Sequence, residues 1–293
     1  MEIRTLRYFL ETAREENMTR AAERLYISQP TMSKQLGALE EELGVKLFVR
    51  SNYHIKLTEA GMLLRERAED ILSLVDKTLE EFQSFDDLNS GDIYVGAPES
   101  QAMEQFAQVV SALQKRYPGI RCNIYSGNVH DVCEKLDKGL LDFAIVMNYV
   151  DLKKYNHLPM AGEDTWGVVM RRDDPLAEHE TLSVSTIRKL PLICSRQWVD
   201  YELPQWFGSK TGVHITATYN LPYNGAMMAK AGVGYAMMLD KLIRTDEESG
   251  LVFRPLTDVE KARTYIIWRK YQTFTPVSEL LLKALGEQFH INA

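Results

Sequence analysis

The chain has little of several residue types that would signal chemistry or an unusual class. It holds three cysteines, Cys122, Cys133 and Cys194. They form no CxxC pair and have no metal-type histidine spacing nearby, so buried thiols are the plain reading. Its six histidines, at 54, 130, 157, 179, 214 and 290, are scattered without an HExxH, and no GxxxxGK[ST] phosphate loop occurs. Gly232-Val233-Gly234 lacks the third glycine of a dinucleotide fingerprint and precedes a strand-like run. An enzyme therefore has no constellation to work with, and neither a metal nor a cofactor is expected. With 17 glycines and 10 prolines the chain is neither disordered nor collagen-like. No apolar run approaches the roughly 20 residues a membrane helix needs, and the opening stretch, MEIRTLRYFLETAREEN, carries acids where a signal peptide has an unbroken apolar core. The expectation is a cytoplasmic protein with no membrane partner.

What is present is an ordinary globular composition, 45% hydrophobic and 26% charged over 293 residues, enough for two or three domains. The net charge of −7 is unevenly shared: residues 1–58 hold nine Lys or Arg against eight Asp or Glu. The acid lies in the C-terminal part. A polyanionic partner is not excluded, because the charge on the face presented to phosphates decides.

Ile3, Leu6, Phe9, Leu10 and Ala13 recur at helical steps, predicting an amphipathic first helix that ends near Asn17. Thr19 is placed to cap a short second helix carrying Ala21, Ala22 and Leu25. Ser28 caps a third, with Pro30 in its first turn and Leu36, Leu39 and Leu43 facing inward before Gly44. Two β-prone runs, Lys46 to Arg50 and His54 to Leu57, flank a Ser51-Asn52 turn, and three helices with such a hairpin predict a winged helix-turn-helix. Thr58 opens a long helix to about Phe85, on which Leu64, Ala68, Ile71, Val75, Thr78 and Phe82 alternate steps of four and three. That is a coiled-coil rhythm, and it predicts dimerisation through Leu64, Ala68, Ile71, Val75 and Phe82. Beyond a polar hinge at residues 86–91, strands alternate with helices: DIYVGA, IRCNIYS and LDFAIVM, then WGVVM, LPLICS, HITATY and GYAMML. A last strand, TYIIWR, precedes a helix from about Val277 to Phe289. The alternation implies a mostly parallel sheet in two similar α/β lobes, crossed by the chain near residues 161 and 264.

The stretch LRYFLETAREENMTRAAERLYISQPTMSKQLGALEEELGVKLFVRS, followed by LTEAG, resembles the N-terminal part of the LysR-type transcriptional regulators. Weaker echoes, YPGI at 117–120, KGLLDFAIV at 138–146, RDDPLA at 172–177 and AKAGVGYAMM at 229–238, extend the resemblance over nearly the whole chain. It implies an α/β protein with a winged helix-turn-helix (1–58), a dimerising linker helix and hinge (59–88), and an effector-binding domain (89–293) similar to periplasmic solute-binding proteins. Lobe I of that domain would take 91–161 and 265–293, and lobe II 162–264. It further implies sequence-specific binding of double-stranded promoter DNA as a homodimer or homotetramer, modulated by a small-molecule effector, and it leaves room for RNA polymerase as a partner.

In a helix-turn-helix the second helix of the motif enters the major groove by its N-terminal residues. The DNA-contacting candidates are thus Thr19, Ser28, Gln29, Pro30, Thr31, Ser33 and Lys34, with Arg50 on the wing. Asn52, Tyr53 and His54 depart from the small or basic residues common in the family's wing. Ligands of open α/β sheets bind past the C-terminal strand ends, and small anions favour helix starts there. That selects Ser100 and Gln101, Asn128, Met147 and Asn148, Ser195 and Gln197, and Asn220 and Asn224. Each polar member of the set could equally do no more than cap a helix. Two rival functions compete: a solute receptor, which suits residues 91–293 alone, and a redox sensor, which needs an exposed low-pKa thiol and a resolving partner.

Overall fold

In the computed structural model, which describes residues 1–50, 55–83, 89–147, 150–208 and 212–289, contacts divide the chain into two units, Met1–Gln83 and Ser84–Ala293. The first consists of α1 (Ile3–Glu15), α2 (Met18–Arg24), α3 (Gln29–Leu43), the strands β1 (Phe48–Arg50) and β2 (Ile55–Leu57), and α4 (Glu59–Gln83). The strands pair antiparallel, Phe48 opposite Leu57. The core gathers Leu6, Phe9, Ala21, Ala22, Met32, Leu36 and Leu39 under Leu47 and Phe48.

Asn17, not Thr19, caps α2: its side chain accepts from the N–H groups of Thr19 and Arg20, both at 3.0 Å. The helix starts earlier than expected because Met18 is its first residue and enters the core. On α3 the inward row is Met32, Leu36 and Leu39, one turn earlier than expected, and Leu43 is exposed. Gly44 closes the helix at φ 69°, the left-handed region open to a residue without a Cβ. Thr58 caps α4, its hydroxyl accepting from Gly61 N at 3.0 Å and donating to Lys46 O at 2.7 Å.

The proposed dimer stripe on α4 is partly committed elsewhere. Ala68 and Leu72 are buried in the core of this same unit, with Leu64 and Ile71 packed against it. The physical reason is that α4 covers the three-helix core before running past it. Followed C-terminally, the same face carries Val75, Leu79 and Phe82, of which Leu79 and Phe82 are 55% and 73% exposed.

The second unit runs β3 (Ser90–Ala97), α5 (Ala102–Arg116), β4 (Gly119–Ser126), α6 (Val129–Asp137), β5 (Phe143–Met147), β6 (Tyr155–Asp164), β7 (Trp166–Arg171), α7 (Val184–Ile187) and β8 (Pro191–Ser195). It continues with α8 (Arg196–Asp200), α9 (Glu202–Phe207), β9 (His214–Tyr219), α10 (Pro222–Lys230), β10 (Tyr235–Leu239), β11 (Leu251–Pro255), β12 (Ala262–Arg269) and α11 (Pro276–Gln288). Two five-stranded sheets result, ordered β4-β3-β5-β12-β6 and β11-β7-β10-β8-β9. Within each, three strands pair in parallel and the other pairings are antiparallel. The sheets are therefore mixed, not mostly parallel, because each lobe takes in the strands that lead to and from the other lobe. The first sheet packs Val95 and Phe143 against Phe106 and Leu281, and the second packs Val168, Leu192 and Met237 against Trp198. The chain leaves the first sheet after Asp164 and re-enters it at Ala262.

Candidate functional site

Two surfaces gather the expected residues. On the first unit, Ser28 caps α3, its Oγ accepting from Thr31 N at 3.3 Å and lying 2.7 Å from Thr31 Oγ1. Pro30 fills the first turn, where a missing N–H costs nothing. Ser28, Gln29, Pro30, Thr31 and Lys34 are exposed, and Ser33 is half-buried. Beneath them Met32 and Leu36 anchor the helix in the core, which fixes the orientation of the polar face. Gln29 Nε2 donates to Met18 Sδ at 3.4 Å, a weak tie that a better acceptor can replace. Thr19 is exposed in the first turn of α2. Asn52, Tyr53, His54 and the side chain of Arg50 lie outside the described residues.

On the second unit, the C-terminal ends of the parallel strands open on a cleft between the lobes, with about 670 Å3 of empty space including its open mouth. The first lobe contributes Pro98, Glu99, Gly127, Asn128 and Met147, and the second Trp166, Ser195, Arg196, Gln197, Tyr219 and Asn220, with Leu221, Pro222, Met238, Leu239 and Leu242. The topology thus brings Asn128, Met147, Ser195, Gln197 and Asn220 together. It does not bring Ser100, Gln101 or Asn224 to the lining, and Asn148 lies outside the described residues. Ser100 is 6% exposed, its Oγ without a hydrogen-bond partner among the described residues. Gln101 is taken up in bridging the lobes, Nε2 donating to Lys241 O at 3.3 Å. Asn224 lies exposed on α10.

Several lining residues also cap helices. Asn128 Oδ1 accepts from Asp131 N at 3.0 Å, and Ser195 Oγ accepts from Trp198 N at 3.0 Å. Across the cleft, Val129 N at the start of α6 donates to Gln197 Oε1 at 3.3 Å. Tyr219, on the floor, donates its hydroxyl to Met237 O. Sequence reasoning missed the apolar lining, Trp166 and Leu242 among it, because nothing in an apolar residue next to a strand end distinguishes a cleft wall from a core.

A buried acid stands at the lobe crossing. Burial pushes Asp164 up to about 6; the Gln101 N–H and Lys241 oppose this, and Asp240 adds to it. The thiols are all raised: Cys122 to about 12 by burial and the nearby Asp142, and Cys133 and Cys194 chiefly by burial. Among the described residues no group of three or more His, Cys, Asp or Glu could hold a metal ion, and no helix is long and apolar enough to cross a membrane.

Residues 3–62 match the family model described as bacterial regulatory helix-turn-helix protein, lysR family, and residues 86–290 match the LysR substrate binding domain. The HTH-type transcriptional regulator BudR of Raoultella terrigena is 28% identical over 288 residues, 96% of this chain and 99% of that protein. The hydrogen peroxide-inducible genes activator of Pectobacterium carotovorum subsp. carotovorum is 28% identical over 273 residues, 90% of this chain and 88% of the other. Full-length CbnR, solved as a complex with its target DNA, shares the fold at a TM-score of 0.77 and 20% identity, covering 98% of this chain and 100% of that one.

Proposed function

Because the chain belongs to the LysR family of bacterial transcriptional regulators, with a helix-turn-helix and an effector-binding domain, we propose that the exposed start of α3 reads promoter DNA. In this reading Gln29, Thr31 and Lys34 reach base edges, Ser28 and the N-terminal amides meet phosphate, and Thr19 and Arg50 contact the backbone. The observation that carries it is the polar row Ser28, Gln29, Thr31 and Lys34, exposed on a helix whose opposite side, Met32, Leu36 and Leu39, is buried. Two such helices, paired through the C-terminal part of α4, would occupy successive major grooves of a pseudo-palindromic site, with dimers joining as tetramers. RNA polymerase is the further partner this reading allows, and the cytoplasm its place of action.

The effector occupies the cleft between the lobes, touching Asn128, Met147, Ser195, Gln197 and Asn220. Its binding shifts the population of lobe arrangements, by no more than its difference in affinity for them. Replacing Gln29 and Lys34 by alanine is expected to weaken specific binding by about 1–3 kcal/mol for a side chain that reads a base, and to reduce the salt slope for one that meets phosphate. A gel shift on DNA upstream of the protein's own gene, at fixed salt, measures this. Unchanged binding in both variants would remove these residues from the interface.

A further inference from the structure

Two charges line the cleft, and they stand on opposite walls: Glu99 belongs to the loop after β3 in the first lobe, and Arg196 begins α8 in the second. Both side chains are exposed, and neither enters an ion pair among the described residues. The rest of the lining is largely apolar, with Pro98, Met147, Trp166, Leu221 and Leu242 around them. We propose that the ligand of the cleft is a small zwitterion with an apolar body, of the chemical class of the apolar α-amino acids. Its carboxylate sits at Arg196 and its ammonium at Glu99. This rests on the reading of the cleft as the effector site and names the class of effector.

The orientation follows from what the helix starts already hold. In the first lobe α6 is closed to an anion: Asn128 caps Asp131 N, Val129 N is taken by Gln197, and the Asp131 carboxylate itself occupies the first turn. In the second lobe α10 starts at Pro222 with no side-chain cap from Leu221, and both residues line the cleft. The amides after Pro222 have no partner within their own helix, so on this wall they add to Arg196 in favouring a carboxylate. A ligand carrying only a negative charge would satisfy Arg196 but meet Glu99 uncompensated. A ligand carrying only a positive charge has the converse problem. A zwitterion satisfies both walls, and each of its ends holds a different lobe.

The test is calorimetry on the full-length protein with L-leucine, L-methionine and L-phenylalanine. Each is compared with its N-acetyl form, which keeps only the anion, and its amide, which keeps only the cation. The expected result is that at least one free amino acid binds and that both blocked forms bind tenfold or more weakly. Arg196→Gln should weaken the free amino acid at least tenfold, and Glu99→Gln should bring the N-acetyl form close to the free one. An N-acetyl form that binds wild type as tightly as its parent overturns the inference, as does binding indifferent to both substitutions. The same preparation is run in a gel shift on DNA upstream of its gene. A panel without binders and with intact DNA binding overturns the zwitterion alone, whereas lost DNA binding overturns the regulator reading.

Discussion

Glu202 is 2% exposed in α9, and its carboxyl oxygens meet no hydrogen-bonding group of another described residue. Burial pushes it from the ordinary 4.5 up to about 8, so at neutral pH the folded protein keeps a proton that the unfolded chain has released. A raised folded-state pKa means stability that is full below about 4.5 and is lost as pH rises towards 8. Asp164 acts in the same sense but only up to about 6, which leaves pH 6–8 to Glu202. Over that interval wild type should lose up to about 1.4 kcal/mol per pH unit relative to Glu202→Gln, read from urea unfolding at the two pH values. Parallel profiles would show that the carboxyl is ionised in the fold. The cysteines give the opposite lesson about reactivity. A peroxide sensor needs a stabilised thiolate, and here burial raises Cys122, Cys133 and Cys194 alike. Although relatives include proteins named hydrogen peroxide-inducible genes activator, the triple Cys→Ala variant should retain DNA binding, and peroxide should leave the gel shift of wild type unmoved. A peroxide response abolished in the triple variant would restore the redox reading.

At the scale of elements, α3 is tied to the hairpin by one acid. Glu40 is 3% exposed; its Oε1 accepts from Leu47 N at 2.9 Å and Phe48 N at 3.3 Å, and its Oε2 from Lys46 Nζ at 2.8 Å. Burial alone would raise its pKa, yet the Lys46 ammonium and the two backbone donors outweigh burial and hold it below the usual range. Glu40→Ala leaves two buried N–H groups without an acceptor, at a cost of about 1–3 kcal/mol each. The variant should lower the Tm of the N-terminal unit and weaken DNA binding with it; a Tm equal to wild type would show that water replaces the carboxylate. None of this was legible beforehand, since Glu40 reads as one more acid in the run EEEL at the end of a helix. What was legible were the periodic or continuously apolar runs: α1, Leu36 and Leu39 on α3, and the strands β3, β4, β5, β7, β8, β9, β10 and β12. The strand β6 escaped because Pro159, Gly162 and its charged end hide an edge strand, and β11 because Arg254 and Pro255 cut its apolar run to Leu251, Val252 and Phe253. For the site, strand ends pointed to Asn128, Met147, Ser195, Gln197 and Asn220 at the cleft. They also pointed to Ser100, Gln101 and Asn224, which are not among the residues that line it.

At the scale of the molecule, the proposed pairing of two copies rests on the part of α4 beyond its own core. Leu74, Leu79 and Phe82 are exposed apolar side chains there, Leu79 and Phe82 the more so, and apolar area of this kind is what a permanent interface covers. Leu79→Glu with Phe82→Glu should shift the protein towards monomer in sedimentation velocity and weaken DNA binding by the loss of the second half-site, with Tm little changed because neither side chain packs in the core. A sedimentation profile identical to wild type would move the interface elsewhere.

The two passages between the sheets, after Asp164 and before Ala262, lead out of β6 and β12, which lie side by side and antiparallel from Asp164 opposite Ala262 to Tyr155 opposite Arg269, with a register shift between Arg263 and Tyr265. A single tether would let one lobe swivel about it freely. Paired tethers would restrain twist, as a door hinge does, and favour variation of one angle. Ligands of different size would then be reported along a single coordinate, as degrees of closure, and a compound that wedges the door open would be an antagonist without blocking a single contact to DNA.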